Sequence, residues 1–183
     1  KRSLIAVITS MVVVNLVYGL TLPLLSLVLD SQGYSNTVIG LSIVSQALAG
    51  VLLMPIMPRL ITRVGSARMM QYATLLSAVI LIALGLFQDV YLWFLLRFVL
   101  GASGAMLWAA SETVINELAD DDWRGRIIGV YGSAGAAGFA MGPLLLIMTG
   151  TEGLRPFVVT AVFIAAASLP LLWLHNVKAD DGP

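Results

Sequence analysis

Six apolar stretches, each about as long as a lipid bilayer is thick, dominate this sequence: Leu4–Leu29, Thr37–Met57, Met69–Phe87, Val90–Asn116, Ile127–Thr149 and Pro156–Leu174. About 20 mostly apolar residues are needed for a helix to cross the hydrocarbon core. In lipid the backbone must bond to itself, and segments this long without alternating polarity satisfy it as helices rather than strands. The breaks between them are short and polar: Asp30 to Asn36, the basic stretch from Arg59 to Arg68, the hairpin Gln88-Asp89, the charged Asp120 to Arg126, and Gly150 to Gly153. The sequence therefore predicts an all-α integral membrane bundle of six transmembrane helices, forming a single domain over residues 1–183.

Composition excludes the other classes. Of the 183 residues 59% are hydrophobic and 11% charged, against roughly 25% charged in an ordinary soluble domain. A soluble globular enzyme and a disordered chain are both ruled out by that shortage of polar surface. The zero net charge gives no electrostatic reason to expect a nucleic acid. With no cysteine there is no disulfide, thiolate metal site or cysteine nucleophile. The only histidine, His175, has no clustered partner with which to hold a metal. No cofactor is expected.

Orientation follows from Lys and Arg, which concentrate on the cytoplasmic side. With the N-terminus inside, the inner segments hold Lys1, Arg2, Arg59, Arg63, Arg68, Arg124, Arg126 and Lys178, while the outer loops hold Arg155 alone. Both termini are thus expected in the cytoplasm. Shifting the second span by 88 residues places Ser45, Ala49, Gly50 and Pro55 on Ser133, Ala137, Gly138 and Pro143 of the fifth. The two spans run in opposite directions, as a 3+3 inverted repeat requires.

Three motifs give the spans a likeness. In the loop after the second span, Arg63, Gly65 and Arg68 fit Gly-x-x-x-Asp-Arg-x-Gly-Arg-Arg, with Pro58, Thr62 and Ser66 replacing a Gly, the Asp and an Arg. The fourth span carries Arg97-x-x-x-Gly101-x-Ser103-Gly104-Ala105, and the fifth Gly129-(x8)-Gly138-(x3)-Gly142-Pro143, with Leu146 and Ile147 where a trailing Gly pair would stand. In these the sequence resembles the major facilitator superfamily, as its N-terminal six-helix half with an antiporter-type fifth helix. The resemblance implies a cavity lined by the first and fourth helices. It also implies proton coupling through Arg97, and an inner gate in which Arg63 and Arg68 face Glu112 and Glu117. A bland reading accompanies each: a loop that only sets topology, an arginine that snorkels to headgroups, and a fifth helix whose Gly129, Gly138, Gly142 and Pro143 serve packing alone.

A cation buried in lipid costs on the order of 3 kcal/mol or more, so Arg97 is expected to face protein or water. It shares a helical stripe with Gly101, Gly104, Trp108 and Ser111. Asn15 and Tyr18 share a face of the first span with Leu22, and Gln46 lies on the second. Asn15, Tyr18, Gln46, Arg97 and Trp108 are the candidates for the cavity. Neither Glu112 nor Asp30 lies deep in its span, so an acid that carries the proton is expected from elsewhere.

A rival class is a rhomboid-like protease, since Gly101-Ala102-Ser103-Gly104 has its Gly-x-Ser-Gly form. A serine nucleophile needs a base within about 3 Å. Ser103 and His175 lie roughly 12 Å apart along the bilayer normal at 1.5 Å rise per residue, which rejects the protease. A non-transporting membrane scaffold is a further alternative, disfavoured by the intramembrane Arg97.

The expectation is a secondary transporter half in a bacterial inner membrane, multi-pass and surrounded by lipid. It moves a small organic solute by alternating access, with proton-coupled efflux preferred and sugar or metabolite uptake as the alternative. A second six-helix bundle is the expected partner, either a covalent C-terminal half or an identical chain. A start at Lys1 and an end at Lys178-Ala179-Asp180-Asp181-Gly182-Pro183 suit an excised half, although that tail also suits a free terminus.

Overall fold

Long helices form here because each apolar run is free of internal breakers except prolines that the packing tolerates. The computed structural model describes residues 2–119 and 122–172, and among them there is no strand. Helix α1 spans Arg2–Ser31 and runs through Pro23 without a break. Helix α2, Asn36–Leu53, starts at Ser35, whose side chain accepts from the Val38 amide at 3.4 Å. A single 3₁₀ turn at Met54–Ile56 leads into α3, Met57–Val64. Helices α4 (Ser66–Leu86), α5 (Val90–Leu118) and α6 (Arg124–Thr149) follow, and α7 (Arg155–Ala166) and α8 (Ser168–Leu171) make the sixth run. Among the described residues five runs are long and apolar enough to cross a membrane, with α2 and α3 counted as one, and Arg155–Leu171 is a shorter apolar run.

Two boundaries correct the sequence reading. Most of the basic stretch from Arg59 to Arg68 is helical, because Pro55 and Pro58 occupy first-turn positions where a missing N–H is harmless. The chain turns only at Gly65, where φ is +87°, a conformation that disfavours a side chain. The sixth run is interrupted at Ala167. Pro170 has no N–H for the carbonyl four residues before it, at Ala166, where α7 stops. The end of the expected span, Trp173 and Leu174, lies outside the described residues, as does His175.

Packing is selective. Helix α6 lies chiefly on α1 and α2 on α5, while α4 packs against α5 and α7, and α1 also meets α7 and α8. The densest core is shared by α1, α4 and α5, with Leu20, Leu24, Met69, Leu81 and Trp93 almost fully enclosed. Trp93 Nε1 donates to the Phe87 carbonyl, and its ring meets Phe157 edge-on at 6.2 Å. Across α4 and α5, Ser77 and Ser103 share a hydrogen bond of 2.7 Å. The α2–α3 run is different: only 11% of its most apolar window is buried, against 50% for α1 and α4. At one end of the bundle Gln32 bonds Gln88, which joins the first and third loops.

Candidate functional site

The cavity begins with glycine. Gly101 on α5 lies against the Gln46 carbonyl of α2, and Gly104, one turn on, faces the Tyr18 ring of α1. A Cβ at 104 would stand 2.7 Å from the Tyr18 hydroxyl. These two glycines let α1 and α2 converge on α5, and below that convergence a cavity of about 500 Å³ opens. Asn15, Tyr18, Gln46 and Trp108 all line it, together with Leu22 and Phe139. Tyr18 donates to the Leu100 carbonyl at 3.1 Å, and Asn15 Nδ2 to the Met11 carbonyl at 2.8 Å. Each polar side chain is thus held by backbone of known direction, which fixes what it presents to the cavity. Gln46 Oε1 is enclosed without a hydrogen-bond partner.

Arg97 does not line this cavity, which corrects its assignment as a cavity residue. It is fully buried in the seam between α5 and α2, where Nη1 donates to Ser42 Oγ. Its Nε and Nη2 are enclosed and have no partner. The reason lies one turn below: with Gly101 seated on Gln46, the α2 backbone passes over the stripe and roofs Arg97. The snorkelling alternative fails for the same reason. Further along the stripe Ser111 is buried and hydrogen-bonded to Tyr131 at 2.9 Å, while Trp108 is 44% exposed with its ring 6.3 Å from that of Tyr131.

The gate residues are not brought together. Arg63, Arg68, Glu112 and Glu117 are all exposed, and among the described residues no ion pair joins the two arginines to the two glutamates. Arg63 lies in the last turn of α3 and Arg68 in the first turn of α4, on either side of Gly65, and both are exposed.

The fifth-helix motif divides. Gly138 abuts the Val12 carbonyl, and Gly142 the backbone of Leu16, Gly19 and Leu20. Gly129 has nothing within 4 Å of where a Cβ would stand and takes no part in packing. Pro143 is exposed on a continuous helix, and its missing N–H leaves the Phe139 carbonyl without a helical donor. That carbonyl is the atom against which Gly19 of α1 rests. The 88-residue echo does not produce matching surroundings: Gly50 is unopposed where Gly138 is pressed on α1, and Ala49 is buried where Ala137 is exposed. Ser103, the would-be nucleophile, is buried and bonds Ser77 and the Leu100 carbonyl.

The structure adds a cavity that the sequence reading did not locate. A second cavity of about 330 Å³ is lined by Tyr131, Gly132, Gly135, Ala136 and Phe139 of α6, with Asn15 and Trp108. Tyr131, Gly135 and Phe139 recur every four residues, an i, i+4, i+8 stripe that the sequence does display.

Comparison with known proteins agrees with this architecture. Residues 7–183 match the sequence model of the Major Facilitator Superfamily. The chain is 28% identical over 167 residues to the uncharacterized MFS-type transporter YfkF of Bacillus subtilis (strain 168), covering 90% of this chain and 42% of that protein. It is 32% identical over 114 residues to the uncharacterized MFS-type transporter YcaD of Escherichia fergusonii, covering 62% of this chain and 30% of the relative. YcaD of Salmonella enteritidis PT4 is 30% identical over 119 residues, 65% of this chain and 31% of the relative. The chain thus spans less than half the length of the relatives it matches.

Proposed function

The chain belongs to the Major Facilitator Superfamily, a multi-pass membrane transporter family, and from that premise we propose that it forms one six-helix half of a solute transporter of the bacterial inner membrane, with both ends cytoplasmic. The half works by alternating access against a second six-helix bundle and moves an uncharged or amphipathic organic solute outward in exchange for protons. The observation that carries this reading is the 500 Å³ cavity, whose walls come from α1, α2, α5 and α6 and, among the described residues, include Asn15, Tyr18, Gln46 and Trp108 but no Asp, Glu, Lys or Arg. A polar-edged cavity on apolar helices is costly to leave facing lipid, so a protein surface must cover it. The 3+3 repeat has support in the contacts. Exchanging the first three runs with the last three turns the α1–α6 pairing into the α5–α2 pairing, and α4–α5 into α7–α1.

Proton coupling on this reading divides between the halves. Arg97 supplies a buried positive charge with two unpartnered nitrogens, and the second bundle supplies the acid that carries the proton. Efflux as the direction rests on the antiporter-type spacing of Gly138, Gly142 and Pro143 in α6. The test is transport by the chain together with its partner bundle in inside-out membrane vesicles. Acidifying the vesicle interior should drive solute into the lumen as protons leave, and nigericin should abolish that accumulation. Accumulation unaffected by the pH gradient overturns the coupling, and no accumulation under any gradient overturns the transport reading.

A further inference from the structure

Asn15, Trp108 and Phe139 border both cavities. They form a partition between the 500 Å³ chamber and the 330 Å³ chamber on α6. The smaller chamber falls within the roughly 300–1,000 Å³ range of small-molecule sites, and its chemistry is narrow. Trp108, Tyr131 and Phe139 supply three aromatic walls, and Gly132, Gly135 and Ala136 expose helix backbone along the floor. A flat ring lies against such a floor more closely than a branched aliphatic group does. The Tyr131 hydroxyl is engaged with Ser111, so the residue presents its ring. Among the described residues, Asn15 commits Nδ2 to Met11 and has no protein partner for Oδ1. Asn15 therefore offers the chamber Oδ1 as an acceptor alongside the second N–H of Nδ2, the atom nearest Gly135, and among the described residues no charged side chain lines it.

We infer that this inner chamber is a subsite for a planar, uncharged aromatic ring whose edge carries an N–H or O–H, donated to Asn15 Oδ1. Trp108 and Phe139 separate that ring from the remainder of the solute in the larger chamber. The inference deepens the transport reading by naming the class of group carried, but it concerns binding and is testable without transport.

Gly132 provides the probe. A Cβ there meets no atom within 4 Å, so Gly132→Leu adds bulk at the chamber floor without a clash at its Cβ. Binding of carbazole and of N-methylcarbazole is measured by equilibrium dialysis to the protein in lipid nanodiscs, with empty nanodiscs subtracted. Carbazole is expected to bind up to about tenfold more tightly than its methylated form, the worth of one hydrogen bond. Asn15→Ala should level the two probes, and Gly132→Leu should weaken carbazole at least tenfold. Gly132→Ala, which intrudes least, should weaken it by a smaller factor while unfolding at the wild-type temperature. Equal binding of the two probes, or carbazole binding indifferent to Gly132→Leu, overturns the subsite. A chain that binds carbazole as described yet accumulates nothing in vesicles retains the subsite and loses the transport reading. One that transports but ignores Gly132→Leu does the reverse.

Discussion

Two of the seams in this bundle, α1–α6 and α2–α5, solve the same problem with different chemistry. In both, a glycine sits on a carbonyl of the facing helix: Gly19 of α1 on Phe139 of α6, and Gly101 of α5 on Gln46 of α2. Around that common contact they diverge. The α1–α6 seam adds Gly138 and Gly142, so that backbone meets backbone over several turns. The α2–α5 seam adds polar side chains, with Ser45 Oγ donating to the Phe94 carbonyl at 2.9 Å and Arg97 donating to Ser42. In lipid there is no hydrophobic drive between helices, so van der Waals contact and interhelical hydrogen bonds decide association. The first seam relies on contact and tolerates no added atom. The second contains a cation with two unmet donors and is therefore the one with polarity in reserve for a conformational or ionic event.

The sharpest way to break this contrast is to add bulk to the first seam. Gly142→Leu drives a side chain into the backbone of Leu16, Gly19 and Leu20. Because backbone cannot yield as a flexible side chain can, we expect destabilisation of about 3 kcal/mol or more, read as loss of a cooperative unfolding transition in detergent. A wild-type transition would show that the seam is looser than described. At the second seam, Arg97→Met removes the unmet donors while keeping most of the volume. Replacing buried ionic groups by apolar ones of similar size ranges from neutral to about 1–4 kcal/mol stabilising. Thermal unfolding should hold or rise, whereas gradient-driven accumulation should fall. A sharp drop in stability instead would assign Arg97 to structure.

Smaller effects refine the comparison. Ser45→Ala removes one interhelical hydrogen bond and should cost about 0.6 kcal/mol, the average for such bonds in membranes, measurable as a shift in unfolding midpoint. Gly129→Ala should be neutral or stabilising by up to about 1 kcal/mol, since nothing opposes a Cβ there and alanine is the better helix former. If Gly129→Ala destabilised as Gly142→Leu does, the division of the fifth-helix motif into packed and idle glycines would be wrong.

Much of the site was legible from residue type and spacing. Asn15, Tyr18, Gln46 and Trp108 line one cavity, and the sequence places Asn15 and Tyr18 on one helical face. Arg97 was legible as buried but not as roofed, because its fate depends on Gly101 drawing a different helix across it. The structure does not pair the gate residues, for a related reason. Charges that are complementary in type need their helices to present them to each other, and Arg63 and Arg68 flank a turn at Gly65 whose direction is a backbone property.

What the sequence determined by itself is the solvent and the secondary structure. Runs of about 20 apolar residues can satisfy their backbone in lipid only as helices, whatever surrounds them. Only the tertiary structure decided which glycines touch, which polar groups reach a cavity and which helix covers Arg97. Those outcomes depend on pairs of helices far apart in the chain, and the small residues that permit close approach are equally at home on a surface that nothing approaches, as Gly129 is.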